Sequence, residues 1–249
     1  MPSENIIYVG DQAHVPYGAR PIRQIQDFSE TIARFLLNYG AKLIVVACNT
    51  ASAAALKPLR SRFPDVPFVG MEPAVKPAAE RTRTGKVAVL ATPATFQGEL
   101  YSSVIERFGA GVTFFQDTCP GLVELIEAGE LDSPSVEKIL HQALTPMLTQ
   151  GIDTVVLGCT HYPFVIPVIQ RLVGESVRVI DPAPAIARQT HNVLERSNLL
   201  NQDIKPGEIR FFTSADPPRF QTAVGKLIGE SGIVGSISWL SDSEIRHPH

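Results

Sequence analysis

The chain has 249 residues and a mass of 27.1 kDa, and its 22 Lys and Arg against 25 Asp and Glu give a formal net charge of −3. This length suits one large or two small domains and allows a core that needs no disulfide or metal support. The slightly acidic balance argues against a nucleic-acid surface, and no apolar run approaches the ~20 residues of a membrane-spanning helix. The N-terminus shows no signal peptide, so we expect a cytoplasmic protein that binds neither nucleic acid nor membrane.

Short β-branched runs alternate with amphipathic segments over nearly the whole length. Most of the runs lack period-two alternation, which is typical of parallel strands buried on both faces. The amphipathic segments between them, such as 22–36 followed by Gly40, predict helices that cover the sheets. The sequence therefore predicts an α/β fold, with strands at 6–9, 43–47, 66–69, 87–91, 112–115, 154–157, 177–180, 209–212 and 237–240.

One short motif occurs twice along the chain. In residues 43–50 and 154–161, an apolar strand leads through a small residue to a cysteine and then to polar side chains at a helix start. Open α/β sheets bind their ligands where the carboxyl ends of strands meet helix N-termini. The repeat therefore suggests two related α/β units that face each other across a cleft, with Cys48 and Cys159 at equivalent positions.

The three cysteines do not all fit the same interpretation. A free cysteine is most often a small buried hydrophobe, and we adopt this interpretation for Cys119. Cys48 and Cys159 each lie at a strand-to-helix turn, where the helix dipole and free amides lower the pKa of a thiol. Two such thiols suit proton transfer on opposite faces of one carbon, whereas cysteine hydrolases use one cysteine with a histidine. His161, two residues after Cys159, is placed to orient or protonate the same substrate.

Other segments carry weaker signals for binding an anion. The Val-Pro-Tyr-Gly segment at 15–18 predicts a turn whose backbone N–H groups can bind a carboxylate. Thr92 and Thr95 follow a predicted strand, and helix capping is the favoured role of their hydroxyls, with anion binding as the alternative. No P-loop, dinucleotide fingerprint, His-Glu-x-x-His motif or short cysteine pair occurs, so we expect neither a metal nor an organic cofactor.

Together these motifs resemble the glutamate racemases of the cofactor-independent aspartate/glutamate racemase family. The resemblance rests on Ala-Cys-Asn-Thr-Ala-Ser at 47–52 and Leu-Gly-Cys-Thr-His-Tyr-Pro at 157–163. It extends from residue 5 to about residue 240, and the pair of cysteine motifs is far more specific than either motif alone. Further matches lie at 10–11, 15–18, 91–95, 119–127 and 211–220.

The resemblance implies interconversion of L- and D-glutamate without a metal or organic cofactor, which supplies D-glutamate for peptidoglycan. Cys48 would act on D-glutamate and Cys159 on L-glutamate, each as a thiolate that removes the α-proton while the other returns a proton as a thiol. His161 and Glu127 match groups that support the two cysteines. The positions that match substrate-holding residues are Tyr17, Gly18, Asn49, Thr50, Thr92, Thr95, Thr160 and His161.

The resemblance also implies two flavodoxin-like domains with parallel sheets, related by a pseudo-twofold axis, with the active site in the cleft between them. On that basis residues 1–69 and 171–249 form the first domain and residues 70–170 form the second. The family begins with a strand that ends in Asp-Ser-Gly and with a following helix, and neither has a counterpart in this sequence. We therefore expect a truncated or misassigned start, with a gap inside the first sheet.

Two other functions stay open on the sequence alone. A racemase of another amino acid, such as aspartate, would keep the chemistry and change the substrate, although Cys-Thr-His-Tyr-Pro favours glutamate. A protein that binds its small-molecule substrate without turning it over would result if catalysis requires the absent segment. A homodimer also stays open, because nothing in the sequence indicates the oligomeric state.

Overall fold

The structure is a computed structural model that describes residues 1–230, 232 and 234–246. Its strands are β1 (Ile6–Gly10), β2 (Ile44–Val46), β3 (Phe68–Gly70), β4 (Lys86–Ala91), β5 (Thr113–Asp117), β6 (Thr154–Gly158), β7 (Arg178–Ile180), β8 (Ile209–Thr213), β9 (Val234–Ser236), β10 (Ser238–Ser241) and β11 (Glu244–Arg246). Its α-helices are α1 (Ile22–Asn38), α2 (Asn49–Arg62), α3 (Val75–Arg81), α4 (Pro93–Gln97), α5 (Glu99–Phe108), α6 (Leu122–Glu127), α7 (Pro134–Thr149), α8 (Ile166–Val173), α9 (Ala183–Arg196) and α10 (Pro217–Ile228). Every predicted strand overlaps an observed one. Within the described ranges, every helix is too short or too polar to cross a membrane.

The chain divides into two compact units. The first unit comprises residues 1–46, 54–70 and 185–249, and the second comprises residues 47–53 and 71–184. Both contain parallel strands accompanied by helices, so the predicted α/β class is confirmed. The boundaries differ from the predicted ones, because β7 pairs with β6 and so keeps its strand in the second unit beyond residue 170.

A four-stranded parallel sheet forms the centre of the second unit, in the order β5-β4-β6-β7. This is the flavodoxin-like order, in which the first strand of the unit lies between its second and third. Ala88 and Leu90 of β4 pack into the same hydrophobic cluster as residues of α6, α7 and α8, whereas Val87 and Val89 pack with residues of α3 and α5. Helices on both faces explain why the strand reads as a continuous apolar run.

The first unit contains two separate parallel sheets in the part of the chain that the structure describes. One sheet has the order β1-β8-β9, and the other consists of β2 and β3. Helix α1 ends as predicted, because Gly40 takes a φ of +81° that favours glycine. The hairpin β10-β11 is antiparallel. The strand and helix expected to precede residue 5 stay a prediction.

Candidate active site

Two strand ends bring several of the predicted residues of the second unit to one edge of its sheet. Ala91 at the end of β4 pairs with Gly158 at the end of β6, so Thr92 and Cys159 directly follow paired positions. A Cβ atom on Gly158 would lie 2.7 Å from the Cβ of Ala91, so only glycine allows the strands to approach this closely. The carboxyl edge of a parallel sheet is the place where such folds bind ligands.

Cys48 lies at the N-terminus of α2. Its carbonyl oxygen accepts a hydrogen bond from the amide of Ser52 at 2.8 Å, and its Sγ accepts one from the amide of Ala51 at 3.5 Å. Burial nevertheless raises the pKa of the Cys48 thiol and outweighs these helix amides, so the predicted lowering of this pKa is wrong. A thiolate at Cys159 raises the pKa of Cys48 further. The two thiols therefore sense each other's charge.

Cys159 is connected to a histidine and a carboxylate. Its Sγ lies 3.8 Å from Nδ1 of His161, and Nε2 of His161 lies 2.7 Å from Oε1 of Glu127 at the end of α6. Burial alone would lower the pKa of His161, but its hydrogen bonds to Cys159 and Glu127 raise it to about 9. The imidazole is therefore protonated at neutral pH and can donate from both ring nitrogens.

Three threonine hydroxyls form a cluster at the start of α4. The Oγ1 atoms are 2.9 Å apart between Thr50 and Thr92, 3.0 Å apart between Thr92 and Thr95, and 3.4 Å apart between Thr50 and Thr95. Thr92 occupies the N-cap position of α4, yet in the described structure its hydroxyl makes no bond to the helix amides. Helix capping by the Thr92 hydroxyl, favoured on the sequence, is therefore wrong. A hydroxyl group rotates freely about its C–O bond, so these three hydroxyls can reorient to donate to an anion.

Asn49, the first residue of α2, carries a buried amide group. The residue is 3% exposed, and neither Nδ2 nor Oδ1 has a hydrogen-bond partner among the described residues. Leaving a buried polar group unsatisfied costs on the order of 1–3 kcal/mol, so such a group calls for a functional explanation. The Asn49 amide is therefore available to a ligand that supplies both a donor and an acceptor.

Thr160, which follows Cys159, is half-buried.

Tyr17 and Gly18 lie in the first unit, within the 3₁₀ turn Tyr17–Ala19. The Tyr17 hydroxyl donates to Oδ2 of Asp11 at 2.6 Å, and Asp11 is 8% exposed. Asp11 has no role predicted from the sequence, although it is part of the Gly-Asp match at residues 10–11. An acidic side chain two residues after the predicted strand 6–9 was the available signal.

Two buried side chains lie near the candidate residues. Cys119 is 2% exposed as predicted, and burial raises the pKa of its thiol well above the ordinary range. Tyr162 is 1% exposed and its hydroxyl donates to the carbonyl of Thr118 at 3.0 Å, a contact that the sequence did not reveal. Within the described ranges, no group of three or more His, Cys, Asp or Glu side chains is arranged to hold a metal ion.

The model of the Asp/Glu/hydantoin racemase family matches residues 1–190. A curated relative, the glutamate racemase of Roseiflexus sp., is 48% identical over 228 residues, which are 91% of this chain and 84% of the relative.

The chain is also similar to solved structures of glutamate racemases. A glutamate racemase isoform from Bacillus anthracis has a TM-score of 0.84 at 31% identity, covering 95% of this chain and 89% of that one. The glutamate racemase of Francisella tularensis, solved in complex with D-glutamate, has a TM-score of 0.82 at 30% identity with the same coverage, 95% and 89%. The similarity extends over both compact units of the chain.

Proposed function

The chain belongs to the Asp/Glu/hydantoin racemase family, and on this premise we propose that it is an isomerase that interconverts L-glutamate and D-glutamate. The observation that carries the proposal is the pair of thiols, Cys48 and Cys159, which follow strands β2 and β6 and interact through their charges. The relatives described above are glutamate racemases, which favours glutamate over aspartate as the substrate.

In the proposed reaction one cysteine acts as a base and the other as an acid. The thiolate of the first takes the α-proton from one face of glutamate, and the thiol of the second donates its proton to the opposite face. Cys48 serves as the base for D-glutamate and Cys159 as the base for L-glutamate. Each turnover leaves the first sulfur protonated and the second as a thiolate, so the reverse reaction uses the same two groups and no electrons are transferred.

The charge interaction between the two sulfurs favours the state that this reaction needs. Because a thiolate at Cys159 raises the pKa of Cys48, ionisation of one thiol helps to keep the other protonated. One thiolate and one thiol can then coexist within the pair. The protonated His161 beside Cys159 stabilises a thiolate there, and Glu127 keeps this histidine charged.

The remaining predicted residues hold the substrate in this proposal. Glutamate offers an ammonium group, which donates, and two carboxylates, which accept. The Asn49 amide can satisfy one group of each kind, and the threonine hydroxyls at the start of α4 can donate to a carboxylate. The proposed substrate-holding residues are Tyr17, Gly18, Asn49, Thr50, Thr92, Thr95, Thr160 and His161.

The cellular role follows from the product. D-glutamate formed by this reaction would supply peptidoglycan synthesis, and the proposal includes a cytoplasmic location. The reaction as written uses no metal or organic cofactor. A homodimer stays a prediction that the mass of the protein in solution would test.

Turnover of L-glutamate in deuterated buffer tests the proposal. Two opposed cysteines require that D-glutamate forms with deuterium at Cα, while the L-glutamate that remains in the early phase keeps its protium. Protium retained in the D-glutamate would indicate a single base that returns the proton it removed. Turnover of aspartate but not glutamate would change the substrate assignment. Binding of D-glutamate in calorimetry without any turnover would indicate a binding protein.

A further inference from the structure

Asp11 is the centre of a hydrogen-bond network in the first unit. Its carboxylate is buried after β1, and side chains from three other segments of the chain point their polar atoms at it. These contacts are Tyr17 Oη at 2.6 Å, Trp239 Nε1 at 2.7 Å, Ser214 Oγ at 2.8 Å and His14 Nδ1 at 2.9 Å.

The direction of the Tyr17 hydrogen bond limits what this side chain can do for a substrate. A phenol carries a single proton, and at 2.6 Å that proton is directed at the Asp11 carboxylate. The carboxylates of glutamate only accept hydrogen bonds, so they cannot bond to a hydroxyl whose proton is already used. The backbone N–H of Gly18, the middle residue of the turn Tyr17–Ala19, makes no hydrogen bond to the described residues and can donate to such a carboxylate.

We propose that Asp11 is a positioning residue: it anchors the Tyr17 phenol and thereby fixes the adjacent Gly18 backbone in place for a carboxylate of the substrate. This rests on the proposed function, in which Tyr17 and Gly18 hold glutamate. The aromatic surroundings support it, since the rings of His14 and Tyr17 both pack against Phe28, with centroids 3.8 Å and 6.0 Å away. Tyr17 therefore acts as the anchor through its side chain, and Gly18 binds the substrate through its backbone N–H.

A second buried carboxylate provides a matched control. Asp153 in the second unit is also 8% exposed, and it accepts hydrogen bonds from the Thr82 hydroxyl and from the amides of Arg83 and Thr84. It lies directly before β6, at the end of the sheet opposite to Cys159. If Asp11 has a purely structural role, its replacement should lower stability and leave KM unchanged, as we expect for Asp153. A positioning role predicts that KM changes for Asp11 and not for Asp153.

The experiment compares steady-state kinetics of Asp11→Asn, Tyr17→Phe, the double variant and Asp153→Asn with glutamate. We expect Asp11→Asn and Tyr17→Phe each to raise KM by about 10-fold with kcat little changed, because they remove binding shared by ground and transition states. The double variant should resemble either single one, since both break the same bond. Asp153→Asn should lower the melting temperature and leave KM unchanged.

The KM values of these variants test the positioning role of Asp11. An unchanged KM in a folded Asp11→Asn or Tyr17→Phe variant would overturn the proposal, and so would KM effects that multiply in the double variant. If Asp11→Asn does not fold, Tyr17→Phe alone decides, because it removes one hydroxyl. If the unaltered chain shows no turnover, the proposed function fails, and the dissociation constant for D-glutamate then replaces KM in the same comparison.

Discussion

His161 and Glu127 form a hydrogen-bonded pair, with Nε2 of the imidazole 2.7 Å from Oε1 of the carboxylate. The other ring nitrogen faces Sγ of Cys159, so the carboxylate acts on the sulfur through the imidazole. Burial alone would lower the pKa of His161, but the hydrogen bonds to Cys159 and Glu127 outweigh burial and raise this pKa to about 9. The pair therefore maintains a positive charge beside Cys159 over the neutral range.

Replacing the carboxylate should shift the pH dependence of the reaction. Glu127→Gln removes one of the groups that raise the pKa of His161, so this pKa should fall from about 9 toward its ordinary value of 6.5. The alkaline limb of kcat/KM should then move to lower pH, because the imidazolium is lost earlier as the pH rises. Profiles of kcat/KM between pH 6 and pH 10 would show the shift.

Glu124→Gln is the matched control for this variant. Glu124 is exposed on the same helix α6, whereas the carboxylate that bonds to His161 is that of Glu127. Its profile should coincide with that of the unaltered protein. Coincident alkaline limbs for Glu127→Gln and the unaltered protein would show that the carboxylate does not control the charge of His161.

Removing either thiol of the pair should abolish most of the turnover. One positioned acid or base contributes about 10²–10⁴-fold, so Cys48→Ala and Cys159→Ala should each lower racemisation by at least that factor in both directions. The double variant should be little worse, because the two residues act as a unit. Circular dichroism at the glutamate signal, started from each enantiomer, measures this.

Cys119→Ala supplies the control for the loss of a thiol. Cys119 is buried, and burial raises the pKa of its thiol, so it has no use as a base at neutral pH. We expect near-normal turnover and at most a packing loss of about 1 kcal/mol. Near-normal rates for Cys48→Ala or Cys159→Ala in both directions would contradict the two-base assignment.

The strands could be predicted from the sequence where both faces of a strand are covered. β4 and β6 read as continuous apolar runs because helices pack on each side of them. β9 and β11 were not predicted, since Val-Gly-Ser and Glu-Ile-Arg each contain a single β-branched apolar residue and so form no apolar run. The end of the second unit was placed too early because the pairing of β7 with β6 is not visible in the sequence.

The positions of the two candidate cysteines after strands β2 and β6 could be predicted from the sequence, whereas the pKa of Cys48 could not. The repeated motif indicated Cys48 and Cys159 because residue type and position at a helix start are both local properties. Whether burial or helix amides dominate the pKa of Cys48 depends on the surrounding atoms, and here burial dominates. The network on Asp11 includes Ser214 and Trp239, which lie so far along the chain that only the fold reveals the contacts.

Asp153 should stabilise the fold at all but very low pH. Burial would raise its pKa, but hydrogen bonds, mainly from Thr82, Thr84 and Arg83, lower it from 3.8 to about 2. A folded-state pKa below the unfolded value gives a stabilisation of about 2 kcal/mol that is fully present above pH ~4 and is lost as the pH falls through ~2. Asp153→Asn should therefore lower the free energy of unfolding at pH 7 and less so near pH 2.

Denaturant titrations at pH 7 and near pH 2 measure this difference, with Asp132→Asn as the control. Asp132 pairs with Arg171 on the surface, and its side chain is 68% exposed, so removing its charge should change stability by less than about 1 kcal/mol. An equal loss for Asp153→Asn at both pH values would contradict the origin of the stabilisation in the carboxylate charge.

The buried amide of Asn49 should destabilise the folded protein and strengthen the binding of substrate. Because its amide has no partner among the described residues, Asn49→Leu replaces an unsatisfied polar group by an apolar one with the same branching, and the melting temperature should stay the same or rise. The KM for both enantiomers should rise by 10-fold or more, since the substrate loses its donor and its acceptor.

Asn201→Leu is the contrasting variant, because the Asn201 amide donates to the carbonyl of Ser3 at 2.7 Å in the first unit. Here a satisfied hydrogen bond is lost, so the melting temperature should fall while KM stays unchanged. Thermal unfolding and steady-state kinetics on both variants separate the two roles. A lower melting temperature with an unchanged KM for Asn49→Leu would mean that Asn49 stabilises the fold and does not bind substrate. An amide that binds substrate should instead be removed without loss of stability, and its removal should weaken the binding of glutamate.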